Sequence, residues 1–201
     1  MFVVTIDQRD SRTGADRVPE LLAQFSAVPV ALPFERTVGD EIQGVLTDAA
    51  AVVAAAMTAL RAGRWYVGVG VGPVDEPLAA SSSASGGPAF IAARAAVDRA
   101  KKMGERVPLA VRSGRGGAAR ARASAAEAVL VLIGALVAHR SDAEWRVVDL
   151  LVPGVRGGQV EAAATLGISP QAVSRAVLRS GWQEEHAGRV AAAMLLELAD
   201  A

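Results

Sequence analysis

The stretch Gln159–Gly181, QVEAAATLGISPQAVSRAVLRSG, predicts two short helices joined by a tight turn. Gly167 suits the turn, because glycine adopts a left-handed backbone at little cost. Ser169 is a favourable N-cap for the second helix, and Pro170 fits the first helical position, where a missing N–H does no harm. The inward face of this second helix is expected to be Val173, Ala176 and Val177. The stretch therefore predicts a helix-turn-helix.

The first helix of the pair is expected to present a small apolar face to the core. That face consists of Val160, Ala163 and Ala164. Leu166 is expected to fill the space between the two helices, and Ile168 to anchor the turn in the core.

The second helix also has an outward face, formed by Gln171, Ala172, Ser174, Arg175 and Arg179. Glutamine pairs with adenine, arginine with guanine or with phosphate, and serine with either, and residues near the start of such a helix reach the bases. We therefore expect Gln171, Ser174 and Arg175 at bases, and Ser169 and Arg179 at phosphates. A helical hairpin that serves only packing is the alternative.

The run A-x-x-L-G-I-S-x-x-A-V-S-R resembles the helix-turn-helix of sigma-factor-like and related bacterial regulators. The resemblance implies DNA as the partner and, because such readers pair across two-fold sites, a homodimer. The apolar stretch Ala125–His139 is expected to be buried within the helical domain. A contact between two copies of the chain is the alternative role for this stretch.

Charge and composition favour a local contact with phosphates. The 201 residues carry 21 Lys+Arg and 21 Asp+Glu, so the net charge is zero, but residues 111–180 hold nine arginines against five acids. A neutral chain with one basic segment suits DNA contact better than diffuse polyanion binding. The chain has no cysteine, no basic-then-apolar leader pattern, and no apolar run beyond 11 residues (128–138), so we expect a cytoplasmic protein without a membrane span.

The N-terminal half mixes strands and helices in the order β-α-β-β-α-β-α-β. This order predicts an α+β fold, a ferredoxin-like antiparallel sheet with helices on one face, followed by an all-α helix-turn-helix domain. The expected division is a first domain over 1–112, a Gly/Arg/Ala linker over 113–122 and a helical DNA-binding domain over 123–201.

Three N-terminal runs suggest chemistry: TIDQRDSR from Thr5, GDEIQG from Gly39 and GVGVGPV from Gly68. Asp7 and Asp40, on adjacent strands, would offer the hard oxygen ligands that Mg²⁺ prefers, beside a phosphate. Glycines on the neighbouring strand would let a nucleotide lie against the backbone. The alternative is that Asp40 is a turn residue and Asp7 a strand terminator.

These runs, together with GPAF from Gly87, resemble the SatD family of bacterial proteins over roughly residues 2–112. That domain is in turn similar to the palm of class III nucleotidyl cyclases. The resemblance implies that Asp7 and Asp40 are the metal ligands and that Arg94 belongs to the nucleotide site, whereas Phe90 stands where cyclases have a catalytic asparagine. We therefore expect no enzyme activity.

The expected function is a sequence-specific DNA-binding transcriptional regulator. Its N-terminal domain would sense a ligand, with Mg²⁺ and a nucleotide as the leading candidates, or would mediate dimerisation. A metal-dependent nucleotidyl cyclase-like or nucleotide-hydrolysing enzyme that uses Asp7 and Asp40 is the alternative, and a dimerisation scaffold without a ligand is the third possibility.

Overall fold

The computed structural model describes residues 1–11, 13–104 and 107–201 and shows an α+β fold. Arg12, which closes the TIDQRDSR run, lies outside the described residues. Five strands and eight helices are found in the described ranges. They are β1 (Phe2–Gln8), α1 (Val18–Gln24), β2 (Leu32–Arg36), β3 (Glu41–Leu46), α2 (Ala49–Ala62), β4 (Trp65–Val71), α3 (Pro88–Ala100), β5 (Leu109–Ser113), α4 (Gly117–His139), α5 (Asp142–Val148), α6 (Gly158–Leu166), α7 (Pro170–Ser180) and α8 (Trp182–Asp200).

The five strands form one mixed sheet in the order β2-β3-β1-β4-β5. The β2–β3, β3–β1 and β1–β4 pairs are antiparallel, whereas β4 and β5 are parallel. The expectation of an antiparallel sheet was therefore wrong at this edge. The reason is that α3 carries the chain back across the sheet, and such a crossover joins parallel strands.

Helices cover both faces of the sheet, not one face as the strand order had suggested. Strand β4 shows the two faces directly, because its valines and glycines alternate. Its valines point into the main core with α1, α2, α4 and α8, while Gly68 and Gly70 point at α3. The helix α3 also covers Val3 and Val45 on that second face.

The glycines of β4 are required by the close approach of α3. A Cβ atom on Gly68 would collide with the backbone N of Val97, and one on Gly70 with the carbonyl O of Ala89. The space beside Gly68 and Gly70 is thus occupied by α3 of the same chain. The expectation that a nucleotide lies against these glycines was therefore wrong.

The segment 113–122, expected as a linker, is helical from Gly117 onward. The helix α4 packs on the sheet edge, where the Glu127 carboxylate accepts a bond from Val111 N at 2.8 Å and pairs with Arg99 at 3.0 Å. This bond satisfies a backbone donor of the outer strand β5. By length and composition alone α4 is apolar enough to cross a membrane, but here its buried face is one wall of the main core.

The helices α5, α6 and α7 enclose a second, smaller core. Its buried members are Val147, Ala162, Ala163, Val173, Ala176 and Val177. The two short helices predicted from the stretch Gln159–Gly181 are therefore present as α6 and α7, and the inward face predicted for α7 is confirmed. The helices α4 and α8 on either side of this group belong to the main core.

We predict that Gly70→Ala lowers the free energy of unfolding by about 1–3 kcal/mol, because α3 must move away from β4 to admit the methyl group. Gly116→Ala is the matched control, since Gly116 has a φ of −91° and nothing within 4 Å of an added Cβ. Urea unfolding measures both. A loss for Gly70→Ala no larger than that of the control would contradict the close packing of α3.

Candidate functional site

The turn between α6 and α7 is built as its residue types require. Gly167 has a φ of 65° and a ψ of 32°, in the left-handed region, and ends α6. The Ser169 hydroxyl accepts a bond from the backbone N of Ala172 at 3.2 Å and caps α7. Both features match the sequence prediction, and together they fix the direction in which α7 leaves the turn.

Part of the expected inward face of this helix pair is exposed instead. Val160 is 64% exposed, Ile168 is 41% exposed, and Ala164 is exposed. Ala162 takes the buried position beside Ala163. The reason is that α6 contacts α7 along one narrow face of small residues, which shifts its buried positions by one to two residues.

The outward face of α7 presents polar side chains to solvent. Gln171, Ser174 and Arg175 are exposed, and Ala172 is half-buried between them. Ser169 is exposed as well, although its hydroxyl is already engaged as the cap. Three hydrogen-bonding side chains thus project from the first half of a helix whose other face is anchored.

Arg179, at the last turn of α7, contacts the Glu144 carboxylate at 3.5 Å and is 67% exposed in its side chain. Hydrogen bonds from Ser141 hold the pKa of Glu144 below its ordinary value; the backbone N–H has the larger effect and the hydroxyl the smaller one. Arg179 lowers this pKa further. A long contact of this kind, made by a guanidinium that is mostly in solvent, contributes little stability, so the guanidinium can exchange Glu144 for a phosphate at small cost.

A buried ion network holds the end of α7 in place. The Arg140 and Glu185 side chains are 1% and 2% exposed, and their closest N–O distance is 2.8 Å. Arg140 also donates two bonds to the carbonyl of Ser180, and Glu185 accepts from Arg189 Nε at 2.8 Å. One guanidinium therefore joins the end of α4, the end of α7 and the start of α8.

Two guanidiniums lie over the ring of Trp145 in α5. Arg61 is 3.8 Å and Arg140 is 4.3 Å from the ring centroid. Arg61, from α2, also forms two 2.7 Å bonds to the Asp149 carboxylate. The sheet side of the molecule is thereby connected through Trp145 to the network that holds α7.

Sequence reasoning had counted Arg140 only within a basic segment and had given Trp145 and Glu185 no role. The partners of these residues lie far away along the chain, so their roles became visible only in the fold.

The expected metal and nucleotide residues have different side-chain partners, although Asp7 lies opposite Glu41, the partner of Arg94, in the β1–β3 register. The Asp7 carboxylate is 2.6 Å from the Lys101 ammonium, whereas Asp40, in the turn before β3, lines a cavity of about 290 Å³ with Asp16 and Arg36. Arg94 pairs with Glu41 at 2.5 Å. A divalent ion at Asp7 would have to displace an ammonium group, so these residues do not fit a two-metal centre.

Two further observations concern the same expected site. Phe90, which the resemblance to cyclases would place at the position of their asparagine, packs against the apolar cluster beneath α3. Within the described part of the chain, no group of three or more histidine or acidic side chains is placed to hold a metal ion. Phe90 is only partly buried, and its phenyl ring offers no polar group for chemistry on a nucleotide.

We predict that Glu185→Gln lowers the free energy of unfolding by about 3–5 kcal/mol, because it leaves the Arg140 guanidinium buried without a counter-ion. Glu184→Gln, on the exposed side of the same turn, is the matched control and should cost under about 1 kcal/mol. Thermal and urea unfolding report both values, and equal losses would contradict a buried network.

The same carboxylate gives an acid dependence with a defined sign. Burial alone raises the pKa of Glu185, but Arg189 and Arg140 outweigh burial, and the pKa lies below its ordinary value. The unfolded chain therefore binds the proton first, and the stability that Glu185 contributes is lost as pH falls below about 4. This part of the acid dependence should be missing in Glu185→Gln and present in Glu184→Gln.

Comparison of the chain with protein-family models, with curated proteins and with solved structures finds no match. The functional interpretation therefore depends on the residues and their geometry alone. The exposed polar face of α7 and the network that holds it are the features with the clearest chemical content.

Proposed function

We propose that this chain is a sequence-specific DNA-binding transcriptional regulator that reads DNA with α7 of a helix-turn-helix. The observation that carries the proposal is the division of α7 into two faces. Val173, Ala176 and Val177 anchor the helix, and Gln171, Ser174 and Arg175 project from it into solvent. An α-helix presented in this way fits the major groove, whose base edges offer the acceptors and donors that Gln, Ser and Arg recognise.

The phosphate contacts belong to the ends of the same helix. Arg179 is largely exposed and has only a 3.5 Å contact with Glu144 to exchange among the described residues, and Ser169 lies at the positive N-terminal end of α7, which favours an anion. Phosphates on either side of the groove would then fix the register in which the bases are read.

For the N-terminal part we propose a ferredoxin-like arrangement, as the resemblance to the SatD family implies. The support is the order β2-β3-β1-β4, antiparallel throughout, with α1 following β1 and α2 preceding β4. In this reading α3 and β5 are an addition at one edge. The role proposed for this part is sensing of a ligand or pairing of two copies.

A homodimer is part of the proposal, and apolar residues on the outside of α8 support it. Val190, Met194 and Leu198 follow one another at intervals of four residues and are 63%, 57% and 48% exposed. They therefore share one face of the helix. Leu132, on the neighbouring α4, is also exposed. Pairing through this surface would bury them and bring two copies of α7 onto one DNA site.

The enzyme alternative has less support. Asp7 is paired with Lys101, Arg94 with Glu41, and Phe90 is packed in an apolar cluster. No specific contact favours turnover of a nucleotide over the reading of DNA by α7.

We predict that Arg175→Ala weakens binding to a duplex selected from a random library by about 1–3 kcal/mol and relaxes the preference at one base position. Arg179→Ala is the matched arginine variant. It should weaken binding evenly across sequences and reduce the slope of log binding constant against log salt concentration by about one. Fluorescence anisotropy at fixed salt measures both. Unchanged affinity and unchanged preference for Arg175→Ala would contradict base reading by α7.

We predict that Met194→Glu shifts the chain from dimer to monomer, because a charge on the α8 face would be buried at the contact. Sedimentation equilibrium measures the change. Glu184→Gln, an exposed change at the start of the same helix and away from Met194, should leave the dimer intact. A wild-type chain that is monomeric at micromolar concentration would contradict the dimer.

A further inference from the structure

A cavity of about 590 Å³ lies between the sheet side of the molecule and helices α4 and α5. Its walls come from the end of β1, the α2–β4 connection and the segment from the end of α4 through α5. This volume is in the range of sites for small molecules. None of the expected nucleotide residues Asp7, Asp40 and Arg94 lines this cavity.

The charge of the lining is predominantly positive. Two aspartates, Asp142 and Asp149, contribute to it, against five arginines: Arg9, Arg61, Arg64, Arg140 and Arg146. The chain as a whole is neutral, so this concentration of guanidinium groups is a local feature. Low-dielectric walls lined by one sign of charge focus the field and attract ions of the opposite sign.

Two of the five arginines have structural partners. Arg61 is bound twice by Asp149, and Arg140 is buried against Glu185. Both lie over Trp145, which keeps them in fixed positions at the wall. These two arginines shape the cavity, and their charges are largely compensated by their own carboxylates.

The other three arginines have weaker carboxylate partners or none among the described residues, so most of their charge is available to a ligand. Among the residues that the structure describes, Arg9 donates to the carbonyl of Gly104 at 3.4 Å and lies 4.7 Å from the centroid of the Tyr66 ring, and neither contact neutralises its charge. Arg64 has Asp10 at 3.8 Å on the exposed surface. Within the described ranges, no carboxylate lies within 4 Å of Arg146. Exposed pairs such as Arg64–Asp10 are weak and exchange readily.

Arg64 occupies a backbone conformation that its residue type disfavours. Its φ is 62°, in the left-handed region, where a side chain costs about 1–2 kcal/mol relative to glycine. Its carbonyl accepts a 2.7 Å bond from the N–H of Arg9, which ties the two arginines together at the cavity wall. An arginine held in such a conformation at a cationic cavity is consistent with a role for its guanidinium.

The basic lining continues beyond this cavity. A neighbouring cavity of about 420 Å³ shares Arg9 and Arg64 and adds Arg17. An anion with charge at several points along its length would contact both. A single small ion would use only part of the available donors.

We propose that this arginine-lined cavity binds a small molecule with a chain of two or more phosphate groups. The planar guanidinium fork matches phosphate oxygens, and Arg9, Arg64 and Arg146 supply donors from three separate segments. Inorganic oligophosphate and the phosphate chain of a nucleotide share this chemistry. The proposal holds whether or not α7 reads DNA, since no residue of α7 lines the cavity.

Titration calorimetry of the full chain with sodium tripolyphosphate and with ATP, at constant ionic strength, tests the proposal. We expect one site per chain. Arg64→Gln and Arg146→Gln should each weaken binding about tenfold, because each removes one charge-assisted contact. Similar affinity for both probes assigns recognition to the phosphate chain, and tighter binding of ATP assigns the ligand to the nucleotides; both results support the site.

Arg120→Gln is the control, because it removes the same charge from an exposed position of α4 outside the cavity. It should change affinity by less than about twofold, since distant exposed charges are screened. Absence of heat with both probes at about millimolar concentration, or an equal loss in Arg120→Gln, would overturn the proposal. So would variants that lose DNA affinity but keep oligophosphate binding, since the arginines would then belong to the DNA surface.

Discussion

The orientation of α7 depends on the buried pair between Arg140 and Glu185. Arg140 ends α4, which packs on the sheet, and its guanidinium also holds the carbonyl of Ser180 at the last residue of α7. A buried pair of this kind adds little net stability, but the loss of one partner is costly. It therefore favours the orientation of α7 in which both partners meet over orientations that separate them. The face that α7 presents to solvent is therefore held at its C-terminal end by this network, in addition to the small core of α5–α7.

The same network joins the helical part to the sheet. Trp145 lies beneath guanidiniums from α2 and from the end of α4, and Glu127 ties α4 to the edge strand β5. The main core thus runs through α4 and α8, and α5–α7 form a smaller group attached to it. The arginine-lined cavity lies at this attachment, where a bound anion would contact the sheet side and α5 together.

Local signals predicted much of the fold. The sequence pattern predicts a helix over 49–62 closed by Gly63, a strand over 65–71 and a helix over 158–166 before the turn at Gly167. The elements α2, β4 and α6 have these bounds. Long-range pairing was not visible in the same way. The parallel edge strand, the α3 layer over the β4 glycines and the partners of Arg140 depend on residues distant in the chain. The pattern also predicts a strand over 28–34, but β2 begins at Leu32, since Val28 and Val30 pack against the core from the preceding loop.

The polar face of α7 was predictable from helical spacing. The partner of Asp7 was not, because Lys101 lies at the end of α3, far away along the chain. The central claim is that α7 is the element that meets DNA. Hydrogen exchange of the free chain and of its complex with a selected duplex tests this claim most directly. The account predicts new protection centred on residues 169–179. Protection of the sheet face or of α8 with α7 unchanged, or the absence of any complex, would contradict it.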